Sequence, residues 1–305
     1  MMKRIAKWLR ANLDGAVVLG IAFTAVAIQA IDIFGDAISQ ELAAGFVGAA
    51  TLAVLGLLAM MLLRDRQEMA RAVRDTTAVR LLYGSEIGQQ HTLSRRDTDQ
   101  WVCKGGTGSY LRAVTLPMLL EKARREQRTL RMQIEILDPG NVPLCQADAQ
   151  YRTSLQPQGD AAGRPWTAER IRKQCYATVL AAYWHGQQSE FLTIDLAVSA
   201  GTTTFRWDLS ASGVIMTQRN PTTPALFFER GKPHYQDFTR ELAVSFRQAR
   251  QIPLGYRGDL TPPAEPSLEQ VRRLFTHLSL PLPATYTDRD VSEIVRYALR
   301  PENPF

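Results

Sequence analysis

The segment QWVCKGGTGSYLR, residues 100–112, carries residue types suited to holding a phosphate. Lys104, Gly105, Gly106, Thr107, Gly108 and Ser109 follow a short β-prone run, Trp101 to Cys103, and precede apolar residues at helical spacing from Leu111 to Leu120. A glycine-rich turn between a strand and a helix exposes backbone N–H groups at the helix start, where the macrodipole also favours an anion. Thr107 or Ser109 is placed to cap that helix, and Arg112 lies one turn in. The spacing is neither G-x-x-x-x-G-K-[ST] nor G-x-G-x-x-G, so an ordinary nucleoside triphosphate or dinucleotide loop is excluded. A tight strand-to-helix connection that needs glycine for backbone reasons alone is the alternative. Leu130 to Leu137 then alternates like a strand and completes a βαβ unit, with Asp138 at its end, where open α/β sheets place ligands.

Other chemistry-bearing residues are sparse. Arg206 and Asp208 stand two apart in a β-prone run; an arginine fork suits phosphate recognition, while a strand arginine paired with Asp208 or Asp195 on the surface is the plainer reading. The four histidines, His91, His185, His234 and His277, and the three cysteines, Cys103, Cys145 and Cys175, show no zinc spacing, so no metal is expected. No C-x-x-C occurs and the cysteine count is odd, which suits structural thiols in a reducing compartment. No cofactor is implied.

The elements that must position these groups are readable from periodicity. A helix is expected from Thr167, with Ile171, Cys175, Val179 and Ala182 on its apolar face. Four β-prone runs follow, FLTIDLAVS, TFRWDLS, GVIMTQ and ALFFE, and then an amphipathic helix with Phe238, Leu242 and Phe246 on one side. After a break at LTPPAEPS come two helical pieces beginning near Leu268 and Asp288. The fold class is therefore α/β, in a domain spanning 85–260 with a small helical appendage over 261–305.

The N-terminus differs in kind. Gly15 to Phe34 and Leu42 to Leu63 are each long enough to cross a hydrocarbon core of about 30 Å as helices, giving a transmembrane hairpin over 1–64. Lys3, Arg4, Lys7 and Arg10 precede it and Arg64, Arg66, Arg71 and Arg74 follow it, whereas the link between the spans carries Asp32, Asp36 and Glu41 and no basic residue. That asymmetry puts both termini of a two-pass protein in the cytoplasm. A cleaved signal peptide is the competing reading, given the small-residue sequence at Ala25 to Ala27. Ala16 with Gly20 and Ala44 with Gly48 have small-xxx-small spacing for helix packing in lipid, and Gln29 and Thr51 are polar residues that need partners there. RDRQEMARAVRDTTAVRLLYG has no breaker before Gly84 and is expected to continue the second span as a helical stalk over 65–84. The mean hydropathy of −0.17, despite this apolar start, makes the remainder ordinary soluble sequence. The charge of +6 is explained in part by the basic flanks and does not by itself imply nucleic acid.

From Gln100 to Arg250 the order of parts resembles the phospholipase D-like superfamily. MQIEILDP at Met132 to Pro139 is similar to its second strand, TFRWDLSASGVIMTQRNPTTPALFFE lies where its motif strand and successor fall, and HYQDFTRELAVSFRQAR is similar to its closing helix. The resemblance implies a histidine nucleophile and a charge-neutralising lysine, but none of the four histidines is followed two residues later by lysine. Arg206 and Asp208 stand there instead, so a preserved site would bind and not cut. The hairpin joined to such a domain resembles the membrane-disrupting effectors of bacterial antiphage defence. That resemblance implies an oligomeric effector that acts on the lipid bilayer when its domain recognises a phosphorylated small molecule or nucleotide, or else a protein or nucleoprotein complex. The alternative is a membrane-anchored phosphodiesterase or nucleoside- or lipid-processing enzyme using the glycine loop with Glu135 or Asp138.

Overall fold

In the computed structural model the described residues are 48, 51–52, 54–56, 58–69, 79–156, 158–159, 163–220, 223–255 and 265–303. The chain divides into two compact units, Met1–Thr77 and Ala78–Phe305. In the first, residues 58–69 are helical, with Leu62 and Leu63 exposed, and Gly48 and Thr51 are also helical. The expected hairpin falls largely outside the described residues, and Ala16, Gly20, Gln29 and Ala44 with it. Among the described residues no helix is long and apolar enough to cross a membrane.

The second unit is a mixed α/β structure built on one eight-stranded sheet of order β1-β7-β6-β5-β2-β3-β4-β8. Its centre is parallel: β2 (Gln100–Lys104), β3 (Leu130–Leu137) and β4 (Leu192–Ser199) run together. β5 (Phe205–Ser210), β6 (Gly213–Gln218) and β7 (Ala225–Glu229) continue antiparallel beyond β2, and the short β8 (Arg250–Ile252) pairs antiparallel with β4. The outermost strand, β1 (Arg80–Leu82), corrects the expected stalk, because a helix running to Gly84 is replaced here by extended chain paired with β7. Pairing with β7 satisfies the backbone of β1 and buries Leu82 beside Ile215 and Phe227, and this tertiary gain outweighs the helical propensity of the sequence.

Seven helices of this unit are described: α1 (Ser85–Arg96), α2 (Leu116–Glu126), α3 (Val142–Leu155), α4 (Ala168–Gly186), α5 (Pro233–Gln248), α6 (Leu268–His277) and α7 (Asp288–Leu299). Parallel neighbours need crossovers, and α2 joins β2 to β3 while α3 and α4 join β3 to β4. These helices meet one face of the sheet, where Leu130, Met132, Ile134 and Ile136 of β3 pack in one core with Leu116, Leu119, Ile171 and Val179. Alternation sends Leu209, Val214, Met216 and Phe228 to a second core under Leu242 and Tyr235 of α5.

The expected C-terminal appendage is instead part of the main core. Val271, Phe275, Val291 and Ile294 belong to the same cluster as β3 and α4, and Tyr176 meets Phe275 edge to face at 5.2 Å. Lys173 of α4 reaches Asp290 at 2.6 Å and Glu293 at 2.7 Å on α7. Both helices start at capping boxes, Ser267 with Gln270 and Thr287 with Asp290, which explains why their beginnings were visible in the sequence. Phe275→Ala should therefore destabilise the unit by about 3–5 kcal/mol, since it removes a fully buried ring. Chemical denaturation checks this, and an unchanged midpoint would mean that these helices are peripheral.

Candidate functional site

The glycine loop leaves β2 without leaving the sheet at once. Gly105 N–H donates to the Glu135 carbonyl at 3.0 Å and Leu137 N–H to the Gly106 carbonyl at 2.9 Å, so the first two loop residues extend the ladder with β3. The chain then turns at Gly108, whose φ is +72° and where a Cβ would lie 2.8 Å from Thr178 Cγ2 of α4. Thr178 Oγ1 donates to the Thr107 carbonyl at 2.7 Å. Gly108 is thus glycine for conformation and close approach. The helix that follows opens with a π-helical turn, Leu111–Thr115, an irregularity common near functional sites. Arg112 on that turn is directed inward: it is 3% exposed and donates to the Gln174 carbonyl at 2.9 Å and to Thr178 Oγ1 at 2.6 Å. Ser109 Oγ donates to the Gln174 side chain, and Thr107 and Ser109 hydroxyls bond each other at 2.9 Å. Burial pulls the Arg112 guanidinium down to about 10. Arg112 therefore braces the loop against α4 and does not line an open surface.

Gly106 is constrained differently. A Cβ at this position would lie 2.6 Å from Arg219 Nη2 and 3.1 Å from Arg152 Nη2, so two guanidinium groups converge on its backbone. Arg152, on α3, pairs through Nε with Asp148 Oδ2 at 2.9 Å and donates from Nη2 to Thr107 Oγ1 at 3.3 Å. Arg219, just beyond β6, pairs with the other Asp148 oxygen and donates to the Thr203 carbonyl at 3.2 Å. Asp148 is 1% exposed, and it is the carboxylate that both guanidiniums share. Burial pulls Arg152 below the usual arginine range; Asp148 opposes this, and the charge of Arg219 adds to it. Aromatic rings hold the arginines in place, Arg152 lying 4.7 Å from the Trp166 ring and Arg219 5.6 Å from Tyr151.

Arg206 and Asp208 form a closed pair inside the fold rather than on its surface. Arg206 Nη2 lies 2.5 Å from Asp208 Oδ2, and the 1%-exposed Asp208 also accepts from Trp101 Nε1 at 3.1 Å. The guanidinium sits 4.5 Å from the Tyr110 ring, whose hydroxyl accepts from Arg95 at 3.4 Å. Burial opposes the charge on Arg206, but Asp208, Cys103 and Tyr110 together outweigh it and raise its pKa. The same burial pushes His91 down to about 4 and the Cys103 thiol up.

The remaining expected site residues point elsewhere. Lys104 Nζ donates to Ser245 Oγ of α5 at 2.5 Å and lies 3.6 Å from Glu135. Asp138 accepts from Gly140 N–H at 2.8 Å and pairs with Arg250 at 2.9 Å. Ser245 donates to Glu135 at 2.8 Å. The structure thus brings Gly106 and Thr107 together with Arg152, Arg219 and Asp148, which the sequence reading missed. The i, i+4 spacing of Asp148 and Arg152 was a usable signal, whereas the RNPTTP segment gave none for Arg219. Among the described residues, no cluster of three or more His, Cys, Asp or Glu could hold a metal ion.

No protein-family model and no curated protein matches this chain. A solved structure of the archaeal chromatin protein TrmBL2, described as showing a novel mode of DNA binding, is similar over 68% of this chain and 71% of its own, at 6% identity and a TM-score of 0.33.

His91, beside the Arg206–Asp208 pair, gives the unit a pH signature. Its folded pKa near 4 lies below its ordinary 6.5, so the unfolded chain takes up a proton first as pH falls. Stability is full above about 6.5 and declines down to about 4, a window that His185, also pushed down to about 4 by burial, shares. His91→Gln should flatten part of this slope in urea denaturation curves; an unaltered slope would show that His91 is not buried neutral.

Proposed function

We propose that this chain is a membrane-anchored effector whose second unit binds a phosphorylated ligand. Its apolar N-terminal spans, on this reading, form a two-pass hairpin in a bacterial inner membrane, with both termini cytoplasmic, and disrupt that membrane when triggered. The ligand-binding half rests on one observation: the guanidinium groups of Arg152 and Arg219 meet on Gly106 with, among the described residues, a single carboxylate, Asp148, between them. Two cations sharing one anion leave a positive charge unanswered in a low-dielectric setting, and a phosphoryl group is the ligand that answers it bidentately. Gly106 lies at the carboxyl end of the parallel strands, where such sheets bind ligands.

The phospholipase D-like reading is part of the proposal. It is supported by β3 running out into the ILDP sequence, by the β5–β6 pair where the motif strand and its successor are expected and by α5 where the closing helix is expected. The enzyme reading has less support, since the Glu135 and Asp138 side chains are held by Ser245 and Arg250. A defence role and self-association follow the resemblance of the hairpin-and-domain arrangement.

Titration of the detergent-solubilised full chain with inorganic pyrophosphate tests the binding half. Arg152→Ala and Arg219→Ala should each weaken binding about tenfold or more, at the 1.5–3 kcal/mol scale of charge-assisted hydrogen bonds. Equal binding by both folded variants would contradict it. For the membrane half, the full chain should remain in the pellet after alkaline carbonate extraction, and extraction into the supernatant would exclude an integral hairpin.

A further inference from the structure

A cavity of about 230 Å³ lies on the α5 side of the sheet end. Trp207 and Phe238 form one wall, with ring centroids 4.9 Å apart, and Lys104, Glu241, Ser199 and Thr203 supply its polar rim. The volume is below the roughly 300 Å³ at which sites for drug-sized ligands begin, so it admits one ring system and not a whole ligand. Phosphate does not suit it. The charge on Lys104 is already answered by Glu135 at 3.6 Å, and the exposed Glu241 carboxylate at the rim repels anions. A flat aromatic wall beside one ammonium donor and one carboxylate acceptor suits a heteroaromatic ring with its own donors and acceptors.

This cavity and the arginine pair share their scaffold. Gly105 and Gly106 prolong the ladder of β2 with β3, so Lys104 of the cavity rim and Gly106 beside the arginine pair stand two residues apart at one strand end. Two residues of extended chain separate the backbone of Lys104 from that of Gly106 by about 7 Å. Thr203, on the cavity rim, is also the residue whose carbonyl holds Arg219. We infer that the ligand is a nucleoside phosphate, with its base in the Trp207–Phe238 cavity and its phosphate on Gly106, Arg152 and Arg219. This rests on the phosphoryl reading given above. The shared 199–204 connection would make base and phosphate binding mutually reinforcing, since each orders a segment that the other uses.

The test titrates the detergent-solubilised full chain with AMP, GMP, CMP, UMP and ribose 5-phosphate. At least one nucleotide should bind about tenfold or more tightly than ribose 5-phosphate, the advantage expected of one stacked base. Phe238→Leu and Glu241→Ala should shrink that advantage while leaving ribose 5-phosphate binding unchanged. Glu241 is exposed, so its variant carries the test if Phe238→Leu fails to fold, which thermal melts report. Equal binding of all five compounds, abolished by Arg152→Ala, would overturn the base assignment and leave the phosphoryl site standing. A nucleotide preference untouched by both variants would also overturn it. No binding of any of the five would overturn the phosphoryl reading and this inference together.

Discussion

Among the described residues, one buried carboxylate must satisfy two guanidinium groups at the end of the sheet. Asp148 is nearly inaccessible and holds Arg152 from its own helix and Arg219 from a strand end far along the chain. Removing a partner from a buried ion pair costs about 3–5 kcal/mol because an uncompensated charge remains. Here a residual charge is built in, and the cost is contained by rings: Trp166 lies beside Arg152 and Tyr151 beside Arg219. The contrast with Arg206 is instructive. That arginine shares Asp208 with the neutral Trp101 indole, its pKa is raised, and the three side chains join β5 to β2.

The glycine loop then serves two ends by two residues. Gly108 lets the chain turn against Thr178, which together with the inward Arg112 fixes the loop to α4. Gly106 leaves space for guanidinium groups that any side chain would displace. The loop's rigidity therefore comes from below and its electrostatics from above. A ligand meeting Arg219 would also meet Thr203 and the connection between β4 and β5 that spans the sheet end. That connection and the segment after β6 are the parts of this unit best placed to respond to binding.

Much of the architecture was legible because it follows from local rules. Four strands from Leu192 to Glu229, the β3 alternation, and the helices beginning at Ala168, Leu268 and Asp288 all announce themselves by periodicity and capping residues. What failed to show depended on distant chain. Arg80–Leu82 reads as helix until β7 offers it an edge, and α6 and α7 read as an appendage until their apolar faces meet α4 and β3. Of the candidate site, the glycine loop could be found by spacing, but Arg152 and Arg219 lie 46 and 113 positions beyond Gly106 and meet it only in the folded chain. Arg112, Asp138 and Arg206 looked equally suited by residue type, and only the folded chain shows the internal partners that hold each of them.

A crystal structure of the full chain grown with inorganic pyrophosphate tests the central claim most directly. The account predicts the anion within hydrogen-bond reach of the Arg152 and Arg219 guanidiniums and the backbone beside Gly106, with Arg219 drawn from Asp148. Both arginines still closed on Asp148, with the anion bound elsewhere, would contradict it.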